Sequence, residues 1–166
     1  MADIDNTQDI MDSRDVIARI DELTGERDAL QEAVDEAQEE YDSYLDGLTD
    51  DEDPDDDEEG RELADTLAGA RKDLSEWNMG DDAEELRTLK AFAADLESYG
   101  DWEHGETLIR ESYFTEYAEE LASDIGAIDP NAGWPLQHID WDAAADALKQ
   151  DYTEAELDGV TYYMRA

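Results

Sequence analysis

The chain contains no cysteine, which excludes disulfides, thiolate metal sites and cysteine nucleophiles, and leaves the redox compartment unread. Histidine is nearly as scarce: His104 and His138 are the only two, and neither sits in an HExxH arrangement or beside another nitrogen ligand at metal spacing. Glycine-rich phosphate loops, a GxSxG elbow and any stretch approaching the ~18 apolar residues of a membrane span are also missing. Positive charge is the deepest deficit, with 11 Lys and Arg against 51 Asp and Glu, a net charge of −40 over 166 residues. A magnitude of about 2 to 8 suffices for solubility in a small domain, and self-repulsion beyond that weakens the compact state. The excess therefore serves something other than solubility. It excludes direct binding to DNA, RNA or an anionic membrane, all held chiefly by Lys and Arg, and favours a basic protein surface as partner.

What is present is a modest core, 40% hydrophobic residues, arranged with helical period. Val16, Ile20, Leu23, Leu30, Val34, Ala37, Tyr41, Tyr44 and Leu48 alternate steps of four and three, with Arg27 in the one remaining slot. This heptad pattern predicts a helix of about thirty residues, opened by Ser13 or Asp15. A second run, Leu63, Leu67, Ala70, Leu74 and Trp77, ends at "NMG". Together they predict an antiparallel heptad helical hairpin over 1–80, closed by an acidic loop at 46–60. "DDAEELRTLKAFAADLESYG" opens on a capping-box pair, Asp82 and Glu85, and reads as a third helix. A fourth is expected from about Glu106 to Asp124, with Leu108, Ile109, Tyr113, Tyr117, Leu121 and Ile125 on one stripe. A loop at "DPNAGWP", a short helix capped by Asp140, and a hairpin turning at Asp158-Gly159 complete the chain. The fold class is mainly α: the hairpin, then a small helical domain over 81–166 with a C-terminal β-hairpin. The aromatics at Trp77, Trp102, Trp134, Trp141 and Tyr113, Tyr117, Tyr152, Tyr162 and Tyr163 are read as core, or alternatively as an exposed patch for dimerisation or a partner.

The stretch "DDEDPDDDEEG", residues 50–60, holds nine carboxylates in eleven positions. Asp51, Asp53, Asp55, Asp57, Glu59 and Glu62 occupy positions 1, 3, 5, 7, 9 and 12 of a twelve-residue calcium loop, but Asp56 stands at position 6 where glycine must turn the chain, with Pro54 at position 4 and Glu58 after position 7. No metal site and no cofactor is assigned. Carboxylate pairs are too abundant for any one to stand out as acid and base, so the chain is read as a non-enzyme.

Distribution matters more than amount. From Asp28 to Gly60 there are seventeen acidic residues and no basic one, and from Glu111 to Leu148 nine and none. On the first helix Glu32, Glu36 and Glu40 recur at i+4, about 6 Å apart, and Asp28, Asp35 and Asp42 at i+7, about 10.5 Å. Such rows on a rigid rod imitate a phosphate strand, whose charges recur every ~3.4 Å. The candidate partner-binding residues are accordingly Asp28, Glu32, Asp35, Glu36, Glu39, Glu40 and Asp42, with Asp50, Asp51, Glu52, Asp53, Asp55, Asp56, Asp57, Glu58 and Glu59 as a second contact.

"ESYFTEYAEELASDIGAI", "GWPLQHIDWDAAADALKQDY" and "LDGVTYYMR", within residues 111–166, resemble the C-terminal part of antirestriction proteins of the ArdA family, carried by phages and mobile elements. The resemblance rests on the acidic helix around Tyr113, Tyr117 and Asp124, the Ile139-Asp140-Trp141 helix start with Ala144 and Leu148, and the Asp158-Gly159 hairpin. It implies an acidic, dimeric DNA mimic that occupies the DNA-binding groove of a type I restriction-modification enzyme. Residues 1–110 depart from that pattern, so a CRISPR effector or another defence nuclease, which also holds nucleic acid in a basic channel, is an alternative target. The expected partner is thus a basic DNA-binding host protein, with a homodimer an option, and the expected location is the host cytoplasm, since "MADIDNTQDIMDSRD" has neither a basic nor an apolar leader segment. The competing reading is a coiled-coil scaffold whose acidity serves solubility or high-salt adaptation.

Overall fold

The computed structural model describes residues 4, 6–49, 53, 54, 56–129, 131 and 133–166. Among these the chain forms five α-helices, α1 Ser13–Gly47, α2 Glu58–Asn78, α3 Asp81–Leu96, α4 Phe114–Asp124 and α5 Trp141–Leu148. Four strands, β1 Ile10–Asp12, β2 Thr107–Arg110, β3 Tyr152–Leu157 and β4 Val160–Arg165, make one antiparallel sheet in the order β1-β2-β4-β3. The contacts divide into two compact units, residues 20–87 in one and residues 1–19 with 88–166 in the other.

In the unit of residues 20–87 the apolar period governs exposure. Leu23, Ala37 and Leu67 are buried and Leu30, Val34, Tyr41, Tyr44, Leu48, Leu63, Ala70, Leu74 and Trp77 are half-buried, while most intervening positions face water. Arg71 Nη2 donates to Gln38 Oε1 at 2.5 Å, and the Tyr44 hydroxyl donates to Asp57 at 2.8 Å. Gly60 is required by a close approach: a Cβ there would collide with the Pro54 carbonyl oxygen and come within 2.9 Å of the Tyr44 ring.

The other unit is built around β2 and β4, the two inner strands. Ile109 pairs with Tyr163 and packs with Phe114, Ala118 and Ala145 of α4 and α5. The alternate residues face the other way, where Tyr162 meets Phe92 of α3 edge-on at 6.0 Å between ring centroids. Leu108, Ile109, Tyr162 and Met164 are all fully buried. This sheet is covered on both faces.

That double burial overturns the helix expected from Glu106. Residues Thr107–Arg110 are a strand, a single 3₁₀ turn follows at Glu111–Tyr113, and α4 starts only at Phe114. Consecutive buried apolar residues read equally as helix or inner strand, and the β-branched Thr107 and Ile109 were the available hint. Ile125, placed on the helical stripe by its spacing, is instead 70% exposed beyond the end of α4. Gly126, at φ 71°, terminates α4, and the Ala127 N–H returns to the Ala122 carbonyl at 2.9 Å in a Schellman motif. The short helix and the hairpin stand as expected. Asp140 caps α5 by accepting from the Ala143 N–H at 3.1 Å, and Asp158 (φ 47°) and Gly159 (φ 78°) form a two-residue type I′ turn between paired Leu157 and Val160.

Ser13 ties the start of α1 into this unit. Its hydroxyl, wholly buried, donates to the Trp102 carbonyl at 2.7 Å and accepts from the Glu106 N–H at 2.8 Å, while its own N–H donates to the Glu106 carbonyl at 2.9 Å. Removing the hydroxyl strands the buried Trp102 carbonyl and the part-buried Glu106 N–H, which costs about 1–3 kcal/mol. A Ser13→Ala variant is therefore expected to lose about that much stability in urea unfolding, and unchanged unfolding would contradict the role given to Ser13.

Candidate functional site

Asp28, Glu32, Asp35, Glu36, Glu39, Glu40 and Asp42 all lie on α1 and all are exposed. At 3.6 residues per turn they and Asp46 fall within an arc of about 160°, centred opposite the stripe of Leu30, Val34, Ala37, Tyr41 and Tyr44. The same periodicity that buries one face thus gathers the carboxylates on the other. From Asp28 to Asp46 the eight acids span a rise of about 27 Å, one for every ~3.9 Å of axis. That is close to the ~3.4 Å spacing of phosphates along one DNA strand.

Three aspartates in the row have local partners: Asp28 with Arg27, Asp35 with Gln31 at 2.9 Å, and Asp42 with Gln38 at 2.7 Å. These contacts hold the side chains along the helix without cancelling more than one charge. Glu32, Glu36, Glu39 and Glu40 form no ion pair among the described residues.

The acidic connection is shorter than the expected 46–60, because α1 runs to Gly47 and α2 begins at Glu58. Asp50, Asp51, Glu52 and Asp55 lie outside the described residues. Asp53 and Asp56 are exposed, joined by a turn hydrogen bond from the Asp56 N–H to the Asp53 carbonyl at 3.0 Å. Glu58 and Glu59 occupy the first turn of α2, where the helix dipole favours negative charge. Of the second predicted group the structure places Glu59 of α2 beside Glu39 and Glu40 of α1, the three lining a shallow groove of about 520 Å³ with Ser43, Tyr44 and Leu63.

At the head of α2, Asp57 takes the N-cap position in extended conformation. The hydrogen bond from Tyr44, aided by backbone N–H groups of the first turn, holds its carboxyl below the usual carboxylate range. The heptad spacing accounts for the ring of Tyr44 alone; its hydroxyl also fixes this end of the acidic connection.

A second carboxylate surface was visible in the charge count but not assigned to any site. Glu116, Glu119, Glu120 and Asp124 line a groove of about 620 Å³ along α4, with Ser123 and Ile128. The Tyr113 hydroxyl donates to Glu120 at 2.8 Å, and this bond to a carboxylate pushes the phenol up to about 12. The unrelieved run between Glu111 and Leu148 was its signal in the sequence.

Among the described residues no three His, Asp or Glu side chains are grouped to hold a metal ion, and no helix is long and apolar enough to cross a membrane. Compared with known proteins, the chain matches no family model, no curated protein and no solved structure.

Tyr44→Phe tests the tyrosine's second role. Asp57 is depressed in the folded state, so its contribution to stability is present above the unfolded pKa and lost as pH falls through the folded value. Without the hydroxyl, the Asp57 carboxyl should titrate closer to its ordinary 3.8 in an NMR titration, and the stability that Asp57 loses on acidification should shrink. An unmoved Asp57 titration would rule the hydrogen bond out as the cause.

Proposed function

We propose that the chain is a non-enzymatic DNA mimic, encoded by a phage or mobile element, that occupies the nucleic-acid-binding cleft of a host restriction-modification or CRISPR effector. The observation that carries this reading is the α1 face: eight carboxylates at near-phosphate spacing, all exposed, in a tract without Lys or Arg from 28 to 60. An ordinary solvated helix laces its surface with opposite charges at i and i+4. Along the row from Asp28 to Asp46 the one ion pair among the described residues is that of Asp28 with Arg27.

The mechanism is competition. Carboxylates take the places of phosphates against cleft lysines and arginines, the summed field steers the two proteins together quickly, and salt weakens the complex. The heptad stripes of α1 and α2 are proposed to pack as an antiparallel hairpin, which supplies the stiffness the row needs. The bonds Gln38 to Arg71 and Tyr44 to Asp57 run in opposite directions along the two helices, as that arrangement requires. The ArdA-like character of residues 111–166, with its own acidic groove on α4, supports a target that normally grips a long stretch of nucleic acid. Action in the host cytoplasm follows from such a target.

A variant with Glu32, Asp35, Glu36 and Glu39 all changed to Lys is expected to keep its helical circular dichroism and to lose binding by about 100-fold or more, since like charges set against a basic cleft cost several kcal/mol. The measurement is displacement of duplex DNA from a purified type I restriction-modification methyltransferase and from a purified CRISPR effector. Full activity of the reversed variant, or a complex that duplex DNA fails to displace, would leave the scaffold reading in its place.

A further inference from the structure

We propose that Trp134 is the apolar anchor by which the chain grips its basic partner, with the indole entering a pocket of the kind that otherwise stacks a nucleobase; this rests on the mimic reading above. Trp134 is 79% exposed, the most exposed of the large hydrophobic side chains among the described residues. It sits in "PNAGWPLQHI", residues 130–139, the longest run in the sequence without a charged residue. In so acidic a chain, ten uncharged positions around an exposed tryptophan do nothing for solubility.

Residues 133–139 are held in shape by backbone hydrogen bonds. The Leu136 N–H donates to the Gly133 carbonyl at 3.0 Å, His138 to Pro135 at 3.0 Å, and Ile139 to Leu136 at 3.3 Å, after which Asp140 caps α5. An aromatic presented on an ordered turn loses little freedom on binding, which is what makes Trp effective as an interface anchor.

The surroundings select the occupant. Asp124, Asp129, Asp140, Asp142 and Asp146 flank the loop in sequence, within the tract that has no Lys or Arg from 111 to 148. A second copy of this chain would bring like charges against like, and an anionic lipid surface would be repelled in the same way. A pocket edged by Arg or Lys meets both demands. Nucleic-acid clefts supply such pockets, since bases stack there on aromatic rings and guanidinium planes, and an indole offers a comparable flat π-face. The carboxylate rows then provide reach and speed, and Trp134 a salt-independent share of the affinity.

The test uses the full chain as wild type, Trp134→Ala and Trp134→Phe, with the purified methyltransferase and the purified CRISPR effector as probes, at low and high salt. Trp134→Ala should raise Kd about 30-fold at both salt concentrations, the loss typical of an anchor residue, with the salt dependence unchanged. Trp134→Phe should recover most of it, and all three proteins should melt alike because the side chain is exposed. If the wild type binds a probe and Trp134→Ala binds within about twofold of it, far short of an anchor's loss, the anchor is overturned and the mimic reading stands. If the wild type binds neither probe, both fall. If Trp134→Ala instead turns a dimer into monomers with binding per protomer unchanged, the loop is a contact between copies and the proposal is overturned.

Discussion

Like-charge repulsion is the constraint under which every element of this protein is built. With 51 acidic and 11 basic residues, no buried position among the described residues is spent on an ionised carboxylate: apart from Ser13 and Gly60, the buried residues described are apolar or aromatic. Helices meet this demand economically. A stripe at steps of three and four buries itself, and whatever charge the chain carries is displaced to the opposite face. On α1 that displacement is nearly complete, so amphipathic folding and the creation of a phosphate-like row are one geometric event.

The few cations are used where they do most. Lys149, one of three lysines, lies 4.9 Å from the Tyr163 ring centroid and 5.5 Å from that of Phe114, with Glu111 and Asp146 at 4.0 and 3.9 Å. Its ammonium joins ring faces to carboxylates at the edge of the aromatic cluster, where a cation–π contact is strengthened by partial desolvation. In the same cluster the Tyr117 and Tyr152 hydroxyls share a hydrogen bond at 3.1 Å, and burial with that bond pushes the Tyr152 phenol upward. Arg110 sits on the central strand and reaches Asp9 beside β1 at 3.9 Å. The sheet-bearing unit thus keeps cations close to its core, while the stretch of α1 and the turn from residue 28 onward have none.

Local signals carried much of the fold. The heptad steps placed α1 and α2, the Asp140 cap placed α5, and Asp158-Gly159 placed the β3–β4 turn, each because the relevant physics lies within a few residues. What they missed is non-local. β1 pairs Ile10–Asp12 with Thr107–Ile109, and no periodicity in three residues announces a partner so far along the chain. β2 hid for a different reason: covered on both faces, Leu108 and Ile109 lost the alternation that identifies a half-exposed strand. The candidate site was legible in the same uneven way. Residue spacing on a helix determined which carboxylates share a face, but the exposure of Trp134 depends on what fails to pack over it, which no local spacing encodes.

Ionic strength acts on folding and on binding with opposite sign. Screening shortens the reach of exposed charges to about 8 Å at physiological salt, comparable to the spacing within the α1 rows. Added salt therefore relieves the repulsion that opposes folding, and it also dulls the attraction to a basic cleft. A protein acidic only for the sake of high salt gains from the first effect and is indifferent to the second. A mimic has to accept a strained fold at the ionic strength where its target works, which is why its charge is best carried on a continuous helix, whose backbone hydrogen bonds do not depend on the side chains that repel one another.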